Sequence, residues 1–179
     1  MASRVLHLLG CAAPPVVDLV DVVWRAQADG WTVCVGLTPT AAGWLQDQLP
    51  ALEGQTGYPV RHVPRTLGGS ELWPPADATV LAPATLNSVN ACALGLTTNF
   101  VTGRVIEALG RRWPLVVMPC VNSAYATHPQ FGGSIETLRG AGVRVLFGEG
   151  GFQPHPPGEG DRKGYPWALA LDQARTLAK

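Results

Sequence analysis

The amino-acid sequence predicts an α/β fold: a parallel sheet with helices on both faces, in three layers. Short apolar runs rich in valine and leucine alternate with segments whose apolar residues recur at helical spacing. The runs are apolar nearly throughout, as strands covered on both faces require. The chain has 179 residues and 46% hydrophobic content, enough to fill a core on each side of one sheet.

The elements follow in order. "RVLHLLG" (4–10) is a compact apolar run ended by glycine, hence a strand; "PPVVDLVDVVWRAQADG" (14–30) has helical spacing and Gly30 as its stop. "WTVCVGLT" (31–38) is a second strand, and "PTAAGWLQDQLPAL" (39–52) a helix with Pro39 in its first turn. "YPVRHVP" (58–64) reads as a weaker third strand, followed by irregular chain to Pro75. "DATVLAP" (77–83) is a fourth strand, 86–96 a helix, and "NFVTGRVIEALGRR" (99–112) another. "PLVVMPC" (114–120) is a strand, "SIETLRGAG" (134–142) a helix, and "VRVLFG" (143–148) the last strand.

This order reads as one Rossmann-like, flavodoxin-like domain over residues 1–179. Residues 149–165, "EGGFQPHPPGEGDRKGY", are dense in Gly and Pro and read as a mobile flap before a C-terminal helix at 166–179. In such open sheets ligands lie outside the carboxyl ends of the strands. Four loops qualify: "GCAAPP", "TPTAAG", "APATLNS" and "PCVNSAYATHP".

Charge and cysteine usage narrow the partners. Lysine plus arginine equals aspartate plus glutamate, at 13 each, so no electrostatic footprint for nucleic acid or an anionic membrane is expected. Cys11, Cys34, Cys92 and Cys120 lack metal-ligand spacing and read as free thiols, so no metal is expected. No apolar run approaches the roughly 20 residues of a membrane span, and the N-terminus lacks signal-peptide order. A cytoplasmic protein is expected.

The loops offer backbone N–H groups, hydroxyls and amides but few charges. That set suits a phosphate held by hydroxyls and helix N-termini, plus a flat heterocycle read by neutral hydrogen bonds. Thr38 and Thr40 sit where a phosphate would bind without lysine or arginine; taken alone, either is a helix cap more often than a ligand contact. Neither GxGxxG nor a Walker A pattern occurs.

The stretch "PATLNSVNACALGLTTN" (83–99) resembles the first motif of the homo-oligomeric flavin-containing cysteine decarboxylases. "PCVNSAYATHP" (119–129) is similar to their second motif, with Asn122 in the place of its asparagine. "GCA" and "TPTAA" also match flavin-binding positions of that family. The resemblance implies FMN, with its phosphate near Gly10, Cys11, Ala12, Thr38 and Thr40. The ring and ribityl chain would lie along Pro83, Ala84, Thr85, Asn87 and Ser88. It also implies a small-molecule or peptide substrate, and a homotrimer or assembly of trimers with FMN near the subunit interface. For Asn87, Ser88 and Asn90 the competing reading is a capping arrangement at a helix start.

The sequence departs from that family at four points. Gly69 stands where decarboxylases carry a histidine, Val121 replaces a methionine, Thr98 replaces an aspartate, and the flap has no cysteine. A missing positioned base typically forfeits something like 10²–10⁴ in rate. His62, at the end of the third expected strand, His128 in the second motif and His155 in the flap are the substitutes on offer. Each competes with a plainer role as packing, turn or solvated loop residue. Tyr125 is placed by the second motif near the flavin or substrate, while Arg61 and Arg65 flank the third expected strand, where solvated surface arginines are the plainer reading and attraction of an anionic substrate the competing one.

Two functions follow. One is an FMN-dependent decarboxylase or related redox enzyme acting on a small or peptidyl thiol. The other is a non-catalytic FMN-binding sensor or regulatory subunit. A flavin-independent nucleotide-binding domain is the weaker third.

Overall fold

The computed structural model describes residues 4–64 and 67–178. Five parallel strands form one sheet, ordered β2-β1-β3-β4-β5: β1 (Arg4–Gly10), β2 (Trp31–Leu37), β3 (Ala78–Ala84), β4 (Leu115–Pro119) and β5 (Arg144–Val145). This is the flavodoxin-like order, with the chain reversing its direction of growth between β1 and β3. Helices cover both faces. α1 (Leu19–Ala28), α2 (Pro39–Trp44), α3 (Leu49–Thr56) and α8 (Trp167–Leu177) pack on one side. α4 (Leu86–Leu94), α5 (Phe100–Gly110) and α7 (Pro129–Gly140) pack on the other, and the short α6 (Ser123–Ala126) leads into α7.

Alternation along each strand divides the core in two. Leu6, Leu8, Val33, Val35, Val80 and Val116 point to the α1/α8 face. Leu9, Cys34, Leu81 and Val117 point to the α5/α7 face. Among the described residues no helix is long and apolar enough to cross a membrane.

Four expectations need correction. Residues 58–64 do not form a strand: Pro59 and Pro64 lack N–H donors, and the segment makes a single bridge, Arg61 to Gly36, beside β2. The sheet therefore has five strands, not six. The helix expected over 39–52 breaks after Trp44, with α3 starting at Leu49 and Pro50 in its first turn. The last strand is only Arg144–Val145, and α7 begins five residues before Ser134, at Pro129. Arg65 and Lys179, in the expected anion-attracting pair and C-terminal helix, lie outside the described residues.

The α5 face contains one unusual polar row. His7 of β1 pairs in register with Cys34 of β2 and Thr79 of β3. Its Nε2 lies 2.9 Å from the Pro74 carbonyl, so Nε2 carries the proton and donates. Nδ1 has no partner among the described residues. Trp73 leans over the imidazole at 4.9 Å, and the Arg104 guanidinium beyond it is held by Glu71 (2.8 Å) and Glu107 (2.9 Å). Burial depresses the His7 pKa from 6.5 to about 4.

The flap is pinned at its base by a tight turn. Phe152 N donates to Leu146 O (3.1 Å), Gly151 N to Gly148 O (2.9 Å) and Gly148 N to Phe152 O (3.1 Å). Gly151 is packed so closely that a Cβ would stand 2.3 Å from the Leu146 carbonyl carbon and 2.4 Å from Phe147 N. Both are backbone atoms, which cannot move aside as a side-chain tip does.

Two outcomes follow from this packing. Gly151→Ala is expected to release the flap, making limited proteolysis within 149–165 faster than in wild type while the rest of the chain stays folded; unchanged cleavage would contradict the close approach. The unfolded chain protonates His7 near pH 6.5 and the native chain only near pH 4. His7 therefore stabilises fully above pH 6.5, and stability falls as pH drops from 6.5 to 4, by on the order of 3 kcal/mol. Denaturation curves of wild type and His7→Leu across that window check it: the variant should lose most of the slope.

Candidate functional site

The site begins with backbone hydrogen bonds that prolong the sheet past its strands. Thr38 N donates to Gly10 O (3.0 Å), Cys11 N to Pro83 O (2.9 Å) and Cys120 N to Ala84 O (2.8 Å). They hold the four strand-end loops side by side. The Ala82–Pro83 bond is cis, and the β3–β4 register shifts between Leu81 and Ala84.

Just beyond this line the loops after β2, β3 and β4 turn into helices that polar side chains cap, as does the link from α4 to α5, while the loop after β1 enters the 3₁₀ turn Pro14–Asp18 behind Ala13 without a side-chain cap. The Thr38 hydroxyl accepts from Ala41 N (3.4 Å) above α2, and that of Thr85 from Ser88 N (3.4 Å) above α4. Asn99 accepts from Thr102 N (3.1 Å) in a capping box on α5, and Asn122 from Tyr125 N (2.9 Å) on α6. All four caps line one cavity of about 940 Å³ at the carboxyl edge of the sheet. The flap roofs it with Phe152, His155 and the segment running to Tyr165.

Ser88 is the most constrained donor in the cavity. Its Oγ accepts from the Cys11 thiol (3.1 Å) and from the Thr85 hydroxyl (3.2 Å). Both lone pairs are thereby used, and its own O–H remains to donate to a ligand acceptor. The surrounding walls are neutral and small-sided: Ala12, Ala13, Pro14 and Thr40. A planar heterocycle with carbonyl edges and a hydroxylated chain fits this donor set and volume.

Burial sets the protonation of the nucleophilic groups. It pushes the Cys120 thiol up to about 11, Cys34 and Cys92 to about 12, and Cys11 upward as well. Tyr165 is raised well above its ordinary value by burial, and its hydroxyl donates to Met118 O at 2.6 Å. Cys120 and Tyr165 line the cavity in their neutral forms, Tyr165 with its O–H donating to Met118 O.

The expected site residues separate into three groups. Ala12, Thr38, Thr40, Thr85, Asn87 and Ser88 line the cavity, as do Asn122, Tyr125 and His155. Gly10, Cys11, Pro83 and Ala84 lie beneath it. A Cβ on Gly10 would come 3.0 Å from Val16 Cγ2, so its smallness serves packing; Cys11 reaches the cavity through Ser88. His62 and His128 do not line it. His62 follows the bridge at Arg61, while His128 caps α7, its Nδ1 accepting from Gln130 N (3.1 Å). Gly69 is exposed and also outside it, and the buried Arg61 stacks over Phe100 at 5.0 Å.

Sequence reasoning missed Cys120, Phe152 and Tyr165. Cys120 was legible as the residue directly after a strand. Phe152 and Tyr165 were not, because they reach the cavity only when the flap folds back.

A family model described as Flavoprotein matches residues 11–162. The structure is similar to that of the FMN-dependent cysteine decarboxylase TvaF from thioviridamide biosynthesis. The two share 20% identity over 99% of this chain and 99% of that one, with a TM-score of 0.75. The FMN-dependent cysteine decarboxylase SpaF is similar at 23% identity over 97% and 98%, TM-score 0.71. A PPC decarboxylase variant complexed with pantothenoylaminoethenethiol is similar at 17% identity over 98% and 98%, TM-score 0.69. At these identities the likeness establishes the fold. The comparison with curated protein sequences returned no match.

Cys120 is expected to be the first of the four thiols alkylated by iodoacetamide. Its rate at pH 8 should be about a hundredfold below that of an ordinary thiol and climb toward pH 11. Peptide mass spectrometry against pH reads this out, and labelling at the speed of a free thiol would contradict the burial.

Proposed function

This chain belongs to the Flavoprotein family, and we propose that it binds FMN in the large cavity and oxidises a small or peptidyl thiol substrate that then loses carbon dioxide. The observation that carries the reading is the ring of four neutral helix caps around a 940 Å³ cavity, with the Ser88 hydroxyl free only to donate. Thr38 and Thr40 would hold the phosphate, and Thr85, Asn87 and Ser88 the ring edge and ribityl chain. FMN, when bound, supplies a two-electron acceptor for a hydride from the substrate.

The chain's own residues then orient the substrate and move its proton. Asn122 has its amide N–H₂ available, since its carbonyl oxygen caps α6, and would hold the substrate carboxylate. Tyr125 and His155 line the same cavity and are the candidates for the proton. The flap would exclude water while the substrate is bound. TvaF is a cysteine decarboxylase and the PPC decarboxylase variant is complexed with pantothenoylaminoethenethiol, which motivates a thiol here. A homotrimer or assembly of trimers with FMN near the interface belongs to the same proposal, and exposed Leu72, Leu94 and Leu96 offer apolar surface for it. Free thiols at all four cysteines fit a cytoplasmic setting.

A second reading rests on a specific observation. The position of the family histidine is Gly69, and neither His62 nor His128 lines the cavity. This favours a non-catalytic FMN-binding sensor or regulatory subunit.

The purified protein should carry about one FMN per chain, read from its visible spectrum and from chromatography of the released chromophore. Peptides ending in cysteine should bleach the flavin band anaerobically and lose carbon dioxide. FMN binding without bleaching across a peptide panel supports the sensor. A colourless chain that takes up no FMN removes both readings.

A further inference from the structure

We infer that Arg162 of the flap is the counter-charge for the cofactor phosphate. The inference rests on the FMN reading and adds to it a residue that the sequence motifs do not include. Among the described residues that line the large cavity, Arg162 is the one arginine or lysine. It opens the short 3₁₀ turn Arg162–Gly164, and its Nη1 lies 3.3 Å from Oδ1 of Asp18. Asp18 closes another 3₁₀ turn, Pro14–Asp18, whose first residues Pro14 and Pro15 line the cavity beside Ala12. The hydrogen bond from Thr38 N to Gly10 O brings Thr38 and Thr40 to the same end. The other charged residue of the described lining is Asp161, whose Oδ1 accepts from Lys163 N (2.9 Å) in capping the same 3₁₀ turn, so a phosphate dianion held by two threonines has Arg162 as its cation in the lining.

The ion pair is suited to exchange. Arg162 is 41% exposed and Asp18 28%, so water screens their attraction and the pair is weak. A phosphate presents two charges and a fork-matching edge to the guanidinium, and outcompetes a single half-solvated carboxylate. Asp18 thus holds the flap arginine beside the cavity, and phosphate binding draws it inward and fastens the flap over that end.

FMN and riboflavin differ only by the phosphate, and titrating the flavin-free protein with each isolates its contribution. Arg162→Gln should weaken FMN by about tenfold to a hundredfold and leave riboflavin unchanged. Arg162→Lys should recover part of the loss, and Asp18→Asn should tighten FMN alone. Unchanged FMN affinity in Arg162→Gln would overturn the inference and turn attention to a substrate anion. Equal weakening of both flavins would overturn it in favour of a packing role for the flap. A wild-type chain that binds neither flavin sinks the cofactor reading itself, and is recognisable as such before any variant is made.

Discussion

Three backbone hydrogen bonds beyond the strand ends govern what the rest of the molecule can do. Thr38 N to Gly10 O, Cys11 N to Pro83 O and Cys120 N to Ala84 O continue the sheet by one residue and bring β2, β1, β3 and β4 to a common edge. A parallel sheet buried on both faces cannot leave these groups unpaired without a cost of about 1–3 kcal/mol each. Pairing them dictates where the chain must leave the sheet. Ala12, Thr38, Thr85 and Val121 then stand at the same height around one opening. The cavity is a consequence of satisfying the backbone.

The same constraint explains why the strand-end side of the lining is neutral. β2, β3 and β4 each feed an α-helix at the carboxyl edge, so those exit loops end on helix N-termini whose first N–H groups need acceptors. Thr38, Thr85 and Asn122 supply them, Asn99 does the same for α5 after α4, and all four residues also line the cavity. For such residues capping and ligand contact are complementary roles. The Thr38 hydroxyl caps through its oxygen and keeps its proton to donate, that of Thr85 donates to Ser88 Oγ (3.2 Å), and an amide that caps through its carbonyl keeps its N–H₂.

This double use sets how much the sequence could disclose. All five strands were legible, at 4–10, 31–38, 77–83, 114–120 and, with its length overestimated, 143–148, because continuous apolar runs between breakers are a local signal. Loop residues directly after those strands were legible too, and Ala12, Thr38, Thr85, Ser88 and Asn122 all reach the cavity. The segment 58–64 misled because Val60 is buried beside β2 and gives an apolar signal, while its prolines prevent a ladder. His62 was offered as a substitute base at the end of an expected strand and His128 as a residue of the second motif, whereas whether either lines the cavity depends on how distant segments pack. The roof, with Phe152 and Tyr165, carries no local periodicity; its place is set by the Gly151 turn and by the Tyr165 hydroxyl reaching Met118.

What the roof contributes bears on the choice between enzyme and sensor. A thiol oxidation needs a group that takes a proton at neutral pH. Tyr165 is committed as a donor to Met118, and burial keeps both it and Cys120 protonated. Among the described residues of the lining, the imidazole is that of His155, whose ring edge meets Phe152 at 6.1 Å and whose carbonyl accepts from Ser123 N at 2.8 Å. That backbone bond ties the flap to α6, one residue past Asn122 and two before Tyr125. The flap thus brings its histidine to the loop that would orient the substrate. A catalytic chain would use this coupling to assemble its proton acceptor as the flap closes. A sensor would use it to convert occupancy of the cavity into a change in flap position.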